Sequence, residues 1–497
     1  MMNFSDFLLM RQEISLVIVF VILFLYDVFC SEKGKQHFQL VACILFAIHT
    51  ISGFLPYILE PVFGMKYYLS SASSFFSMPL GEAFGGMFVS SDMTILMKNI
   101  LNIATLLVLL QTNGWLKSSD TIHKRGEFFT ITLVTLLGMY LMVSAGNFMM
   151  LYIGMETASL PMACLAAFDK YKEKSAEAGA KYILVSALSS GITLFGLSFL
   201  YGAMGTMYFS DMTVRVFDNP LIIVGLVFFL SGLAFKLSLV PFHLWTADVY
   251  EGAPTSVTAY LSVVSKGAAA FALIFVLYKV FGHIGIVWHH ILWWLSAITI
   301  TVGNLFAIRQ KDIKRFFAFS SISQAGYILL GIIAGSAQGM TAMTYFILVY
   351  VFSNLAVFGV ISAVENNNGG NTLISAFNGL SKTNPKLSFV MMLAVFSLGG
   401  IPIFAGFFSK FFIFMAAAAR GQYILVFVAL LNTVISLFYY LLIVKAMYIK
   451  EGESDAVGRF VTDGYNKTSL VLCMIGILFV GILSYIYEYI GSLSFGI

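Results

Sequence analysis

Two lysines lie inside long apolar stretches of this sequence, where a charged side chain is unusual. Lys236 lies in the apolar run before Pro241, and Lys266 lies in the next apolar run, which follows Pro254. A lysine near the centre of a bilayer costs about 3 kcal/mol on insertion scales. Ionisable residues within membrane spans commonly mark ion or proton pathways. Both lysines are therefore candidate functional residues.

Two further ionisable residues occupy similar positions in other apolar runs, Glu156 and Lys410. With a helical rise of about 1.5 Å per residue and a hydrocarbon core of about 30 Å, position along a span converts to depth. This conversion places Glu156, Lys236, Lys266 and Lys410 near one depth. A row of buried titratable groups at mid-membrane is typical of a proton path.

The residue types in this row are suited to proton transfer. Burial disfavours the charged form of a lysine, whereas a nearby carboxylate favours it. A pair of Glu156 and Lys236 could therefore take up and release a proton as the two side chains move together and apart. A charge that moves near Lys266 would change its protonation in turn and pass the signal to Lys410. A structural ion pair between helices is the alternative interpretation of Glu156 and Lys236.

Other polar residues in the spans have weaker claims. His243 follows Pro241 at a helix end, and its imidazole could join the relay. A relay role for His49 is also open, but a hydrogen-bonded histidine inside a helix bundle is the more common case. Hydroxyls and an amide in the stretch 320–324 (SSISQ) are more often contacts between helices than ligands of water. Lys98 and several other charged residues lie nearer span ends, where a long side chain can reach the interface.

Composition sets the class of the protein. The chain is 59% hydrophobic and 10% charged, with a mean hydropathy of +0.91, which is typical of a polytopic membrane protein. Its net charge of +4 does not indicate nucleic-acid binding, because the basic residues lie in short loops. Its four cysteines show no paired spacing and are interpreted as small core residues. No nucleotide-binding motif is present, and we expect no metal or other cofactor in this chain. The expected partner is the lipid bilayer, and no nucleic-acid partner is expected.

Apolar runs of helical length predict an all-α fold with about 14 transmembrane helices. The expected organisation is an N-terminal set of three helices (1-126), a first five-helix repeat (127-285), a second five-helix repeat (286-450) and a C-terminal helix (451-497). The seventh span carries Lys236 near Pro241, and the twelfth carries Lys410 near Pro402. Because each unit has five helices, an odd number, the second unit would start from the opposite face of the membrane. The proline in each unit would interrupt the helix that carries the lysine. We therefore predict inverted repeats with discontinuous helices near Pro241 and Pro402.

The basic residues predict an orientation. Most of the 28 lysines and arginines lie in the odd-numbered loops between the predicted spans. Because cytoplasmic loops carry an excess of Lys and Arg, the odd loops are predicted to be cytoplasmic. Both termini are then expected outside the cytoplasm.

Four segments carry a resemblance to a known family, over about residues 85 to 450. They are MLYIGMETASLPMACLAAF, FKLSLVPFHLWTADVYEGAPTSVTAYLSVVSKGAAA, RQKDIKRFFAFSSISQAGY and GGIPIFAGFFSKFFIF. Together these segments resemble the antiporter-like membrane subunits of respiratory complex I, the proton-translocating NADH:quinone oxidoreductase.

The resemblance implies roles for the same four residues. Glu156 and Lys236 would be the interacting pair next to a neighbouring subunit, Lys266 the central proton carrier, and Lys410 the terminal lysine on the exit side. It also implies that NAD, flavin, iron–sulfur clusters and quinone are used by partner subunits, and that the partners are other membrane subunits of the complex. The expected location is the bacterial inner membrane.

Two other functions use the same residues. A subunit of a multisubunit sodium/proton antiporter would need the same buried lysines, and the genes next to this one would distinguish it from a redox-driven pump. In a structural scaffold the lysines would only pair with neighbours, and substitution of Lys266 would leave pumping unchanged.

Overall fold

A computed structural model describes residues 4–30, 35–63, 80–118, 120–217, 219–452 and 456–493. Apart from a small antiparallel pair of strands, β1 (Gly81–Ala83) and β2 (Phe88–Ser90), its regular elements are helices. Within the described ranges, 12 helices are long and apolar enough to cross a membrane, and three shorter apolar helices accompany them. The predicted all-α membrane class is confirmed. The number of about 14 spans stays a prediction.

The N-terminal helices pack as a bundle against the rest of the chain. Ser91 caps the third long helix through a reciprocal pair of hydrogen bonds with Thr94, which satisfies donors that a helix start leaves free. The helices are α1 (Phe4–Leu9), α2 (Arg11–Phe29), α3 (Phe38–Phe63), α4 (Asp92–Gln111) and the short α5 (Asn113–Leu116).

The next helices carry the first three of the four candidate residues. Asn147 caps the helix of Glu156 by accepting a bond from the Met150 amide, and Asn219 with Pro220 starts the helix of Lys236. These helices are α6 (Arg125–Val143), α7 (Phe148–Ala166), α8 (Glu173–Met204), α9 (Phe209–Arg215), α10 (Pro220–Leu237), α11 (Leu244–Gly252), α12 (Thr255–Tyr260) and α13 (Lys266–Lys279).

The remaining helices carry Lys410 and close the bundle. They are α14 (Gly285–Ala307), α15 (Ile313–Ile333), α16 (Ala337–Asn367), α17 (Leu380–Thr383), α18 (Pro385–Gly399), α19 (Ala405–Ala419), α20 (Tyr423–Tyr448), α21 (Gly464–Ile482) and α22 (Ser484–Ser492).

Asp463 fastens the start of α21 to the N-terminal bundle. Its carboxylate accepts bonds of 2.8 Å from both Asn113 Nδ2 and Lys117 Nζ and one of 3.1 Å from the Tyr465 amide. Burial alone would raise the pKa of Asp463, but the hydrogen bonds and the lysine charge outweigh it and hold the pKa below its ordinary value.

The two predicted helix interruptions are present and begin with the same type of helix cap. At the end of α10, Ser238 is left-handed (φ 62°), and at the end of α18, Gly400 is left-handed (φ 82°). The amide of the left-handed residue donates to the carbonyl oxygen three residues earlier, at 2.9 Å for Ser238 and 3.0 Å for Gly400. The amide of the following residue donates to the carbonyl oxygen five residues earlier, at 2.9 Å and 3.0 Å respectively. This pattern is a Schellman cap. The chain then passes the proline and resumes as α11 or α19, which confirms discontinuous helices near Pro241 and Pro402.

A different irregularity precedes Lys266. Residues Leu261–Ser265, between α12 and α13, form a π-helical turn. Such turns widen an α-helix locally and occur frequently at functional sites. The turn ends immediately before Lys266, so the lysine projects from a point where the helix changes its winding.

Candidate functional site

Glu156 and Lys236 lie close together, and each is hydrogen-bonded to a different serine. Lys236 is 6% exposed, and its ammonium donates a hydrogen bond to Ser159 Oγ, one turn after Glu156 on α7. Glu156 in turn accepts a hydrogen bond from Ser190 Oγ on α8. No ion pair within 4.0 Å joins these two residues, both of which lie in the described part of the chain. The structure therefore shows the predicted pair side by side, with each charge held by a hydroxyl.

Lys266 is enclosed by a hydroxyl and an aromatic ring. It is 2% exposed, and its Nζ donates to Ser321 Oγ on α15 at 2.6 Å. The same nitrogen lies 5.5 Å from the ring centroid of Tyr250 on α11, within range of a cation–π contact. In the described residues no carboxylate forms an ion pair with this lysine. A fully buried ammonium without a counter-ion is costly, so the site suits a group that gains and loses a proton.

Lys410 lies at the end of the interrupted helix α18. Its ammonium is 2.8 Å from the carbonyl oxygen of Leu398 and 3.3 Å from that of Gly399. These carbonyls belong to the last turn of α18, where the helix dipole is negative and carbonyl oxygens lack helical partners. Tyr327 covers the other side, with its ring centroid 5.1 Å from Nζ. The helix break that the sequence predicted therefore supplies the hydrogen-bond acceptors of Lys410.

One helix, α15, connects the surroundings of Lys266 with those of Lys410. Ser321 contacts Lys266, Gln324 lies one turn further, and Tyr327 covers Lys410 after another turn. Gln324 and Lys410 line one small cavity of ≈ 10 Å³, close to the space of a single water molecule. The buried hydroxyl of Tyr350, in the same lining, has no partner in the described residues. The stretch 320–324 is therefore placed closer to the lysine row than its sequence alone indicated.

His243 lies in the interruption between α10 and α11. It is partly buried, and its Nδ1 has no hydrogen-bond partner among the described residues. Across the part of the chain that the structure describes, no ion pair or side-chain hydrogen bond joins it to the four candidate residues. Its participation in a relay stays a prediction.

A polar cavity of ≈ 680 Å³ opens where several loops of one end of the bundle meet. Lys314 and Glu365 form its inner wall, 3.9 Å apart, and neither had a predicted role because both resemble loop charges in the sequence. Lys314 is 3% exposed and donates to the Ala253 carbonyl at 2.7 Å. Glu365 accepts a bond from the hydroxyl of Thr255, the first residue of the helix that leads to Lys266.

The structure corrects the interpretation of Lys98. Its side chain does not reach an interface: it is 2% exposed and forms an ion pair of 2.5 Å with Glu13, whose side chain is 3% exposed. The sequence did not predict a buried Glu13, because this residue lies just before the first apolar run. No signal in the linear sequence links two residues so far apart. Within the described ranges, no group of three or more His, Cys, Asp or Glu residues could hold a metal ion.

Comparison with known proteins agrees with the fold and these segments. A family model described as "NADH:quinone oxidoreductase/Mrp antiporter, TM" matches residues 145–436. NADH-quinone oxidoreductase subunit N of Azobacteroides pseudotrichonymphae is 64% identical over 496 residues, which cover 100% of this chain and 99% of that protein. The chain belongs to the subunit N family of NADH-quinone oxidoreductase.

Chains in solved structures have the same fold as this chain. A chain of "Respiratory complex I from Thermus thermophilus with bound Aureothin" matches with a TM-score of 0.77 and 27% identity, covering 95% of this chain and 97% of that one. A chain of the Mrp complex from Dietzia sp. DQ12-45-1b matches with a TM-score of 0.81 but 20% identity, covering 99% and 97%. The second match shows the fold alone. Full-length identity to subunit N therefore decides between the two families, and the resemblance seen in the sequence is confirmed.

Proposed function

We propose that this chain translocates protons outward across the membrane as a subunit of NADH:quinone oxidoreductase, driven by electron transfer in other subunits. The carrying observation is the row of polar groups that α15 places between two buried lysines. Ser321 accepts a hydrogen bond from Lys266, and Gln324, one turn further along α15, lines a small cavity together with Lys410 that has room for about one water. In the described residues no carboxylate forms an ion pair with Lys266 or Lys410, so neither lysine leaves an unpaired carboxylate when it loses its proton.

In this proposal Glu156 and Lys236 are the pair nearest the neighbouring subunit, Lys266 is the central carrier and Lys410 is the terminal one. The contacts of the two lysines differ in a useful way. Lys266 donates to a hydroxyl, which can reverse its role and donate to a neutral amine. Lys410 donates to carbonyl oxygens, which can only accept. Lys266 therefore keeps its hydrogen bond in either protonation state, whereas the carbonyl oxygens beside Lys410 can only accept from its N–H groups.

The cavity lined by Lys314 and Glu365 is the proposed route of proton intake. Its lining combines acids, bases and hydroxyls, so it holds water readily. Thr255 and Ser256 form part of its inner wall and begin the helix that reaches Lys266. The buried hydroxyl of Ser256 has no partner in the described residues. A proton that enters this cavity would be passed along α12 and the π-helical turn to Lys266.

The proposed setting follows from the family. NAD, flavin, iron–sulfur clusters and quinone are used by partner subunits, and this chain lies in the bacterial inner membrane with the intake cavity on the cytoplasmic side and both termini outside. The matching helix ends at Ser238 and Gly400 support two inverted five-helix repeats, 127-285 and 286-450, flanked by 1-126 and 451-497.

Substitution of Lys410 tests the proposal. Inverted membrane vesicles with Lys410→Met should contain the assembled complex, and NADH-driven quinone reduction and proton uptake should fall together, because a tightly coupled pump stalls when its path is cut. Lys445→Met, an exposed lysine in the last turn of α20, is the matched control and should behave as wild type. Wild-type pumping by the Lys410→Met complex would refute the proposed role.

A further inference from the structure

A second group of buried titratable residues lies in the N-terminal helices, apart from the lysine row. Glu13 on α2 and Lys98 on α4 form an ion pair of 2.5 Å and are almost completely buried. The Lys98 ammonium also faces the rings of Phe88 and Tyr140, at 5.0 Å and 5.7 Å. Removing two ions from water costs several kcal/mol for each ion. The path described above uses none of these residues.

His49 lies on the other side of Tyr140 and uses both ring nitrogens. Its Nε2 is 3.0 Å from the Tyr140 hydroxyl, and its Nδ1 is 2.8 Å from Ser15 Oγ. The Tyr140 hydroxyl donates to Asn102 Oδ1, so it accepts from His49. This network assigns the neutral imidazole hydrogen to Nε2 and makes Nδ1 the acceptor of the Ser15 hydroxyl.

The hydroxyl of Ser15 has a second acceptor within reach. Its Oγ lies 3.0 Å from the Gln12 carbonyl oxygen, as well as 2.8 Å from His49 Nδ1. If Nδ1 takes up a proton, it donates to Ser15 Oγ, and the serine hydroxyl rotates to donate to Gln12. Every hydrogen bond of His49 is then kept in both protonation states. One hydroxyl rotation is enough to accommodate the added proton.

Polar atoms without partners surround this arrangement. Glu13 Oε2, Gln12 Oε1 and Asn102 Nδ2 are buried, and none has a hydrogen-bond partner in the described residues. Buried polar groups are nearly always hydrogen-bonded, and water commonly serves where protein does not. The three atoms supply two acceptors and one donor for such water.

We propose that His49, together with the Glu13–Lys98 pair, is a second proton-binding site, which takes a proton from water on Nδ1 and returns it during turnover. The proposal rests on the proton-pumping function proposed above, since turnover supplies the cycle. The N–H bond that forms on Nδ1 replaces an O–H bond of the protonated water that supplies the proton and is left as neutral water, and no oxidant or reductant is involved. His49 lies on α3. The other titratable groups on the helices packed against α3 lie towards helix ends: Arg11, Tyr26, Asp27, Asp92, Arg125 and Glu127.

This site is one helix away from Lys266. α4, which carries Lys98, packs against the π-helical turn and α13. Leu101 Cδ2, one turn after Lys98, lies 3.4 Å from the position that a Cβ on Gly267 would occupy. α6, which carries Tyr140, also carries Thr135, whose hydroxyl donates to Tyr260 at 3.0 Å just before the π-helical turn. A charge change at His49 therefore acts close to the central lysine.

Infrared difference spectroscopy of the purified complex tests the proposal. Spectra of the NADH-reduced minus the oxidised complex are recorded with natural and ring-¹³C-labelled histidine. We expect an imidazole band that moves with the label, is lost in His49→Gln, and is lost or reduced severalfold in Ser15→Ala. Ser52→Ala is the matched control, because Ser52 donates to the backbone carbonyl of His49 rather than its ring, and it should keep the band.

Two results would overturn the proposal: no label-sensitive band in the wild type, or a band unchanged in both His49→Gln and Ser15→Ala. Ser15→Ala keeps the test valid if His49→Gln does not assemble. The outcome is separate from that of Lys410→Met. Loss of pumping by Lys410→Met together with no label-sensitive band in the wild-type complex would refute only this inference. A His49 band in the wild-type complex together with normal pumping by Lys410→Met would refute only the role of the lysine row.

Discussion

Ser321→Ala should change the pH dependence of turnover. The substitution removes the hydroxyl that accepts a 2.6 Å hydrogen bond from buried Lys266. A hydrogen bond to a charged group contributes about 1.5–3 kcal/mol and one between neutral groups about 0.5–1.5 kcal/mol, so the protonated form of Lys266 loses about 1–1.5 kcal/mol more than the neutral form. At 1.36 kcal/mol for each factor of ten, the protonated form would be depopulated roughly 5- to 10-fold relative to the neutral form. The alkaline limb of the activity profile should therefore move to lower pH by about 1 unit.

The assay is NADH-driven proton uptake by inverted vesicles, measured between pH 6 and 9. Ser323→Ala is the matched control, because its hydroxyl donates to the Ser320 carbonyl in the same helix and not to Lys266. Ser321→Thr keeps a hydroxyl and should restore most of the wild-type profile. Coincident profiles for Ser321→Ala and Ser323→Ala would refute a direct role of this hydrogen bond in proton transfer through Lys266.

Three further predictions concern other parts of the structure. Gly400→Ala should reduce proton uptake at least severalfold, because a left-handed alanine costs about 1–2 kcal/mol and its Cβ would lie 3.1 Å from Lys410 Cδ. In a background without the four native cysteines, a membrane-impermeant maleimide should label Asn366→Cys at the intake cavity from the cytoplasmic side, and Gln422→Cys from the outside only. Asp463→Asn should lower the thermal stability of the complex slightly at pH 7. Because the pKa of Asp463 is lowered in the folded chain, its contribution is complete above its unfolded value and is lost as the pH falls through the folded one, so the difference should vanish well below pH 4.

The controls for these tests come from adjacent residues. Gly399→Ala should be milder than Gly400→Ala, since its Cβ would meet a movable methyl group of Leu437 at 3.3 Å and the Tyr440 ring at an ordinary contact distance of 3.6 Å. Equal losses would contradict the special role of the left-handed position. Labelling of both cysteine variants from one side would contradict the orientation. An Asp463→Asn deficit that does not shrink as the pH falls below 4 would contradict the titration argument.

The helix interruptions were predictable because their cause is local. Proline has no amide hydrogen and weakens a helix, so Pro241 and Pro402 favour breaks. Pro161 lies inside the continuous helix α7, so a proline alone does not decide where a break occurs. The lysine row was predictable for a related reason: a charge in an apolar run is costly irrespective of its neighbours. Those two features also lie within the family-specific segments on which the resemblance depends.

The partners of these residues were not predictable, because they depend on which helix faces meet. Ser321 is one hydroxyl among many in the spans, and only packing of α15 on α13 selects it. Lys314 and Glu365 resembled loop charges because linear spacing carries no information on burial within a bundle. The pairing of Glu13 with Lys98 joins helices far apart in sequence. All three features depend on contacts between residues that are far apart in the sequence.

Recording NADH oxidation and proton uptake simultaneously in inverted vesicles that contain Lys266→Met tests the central claim most directly. Lys279→Met, in the last turn of the same helix, is the control. If Lys266 is the central carrier, the assembled variant should lose both activities at least tenfold, and an uncoupler should not restore oxidation, because the block lies inside the complex. Oxidation and pumping at wild-type levels would contradict the account and make the buried lysine structural.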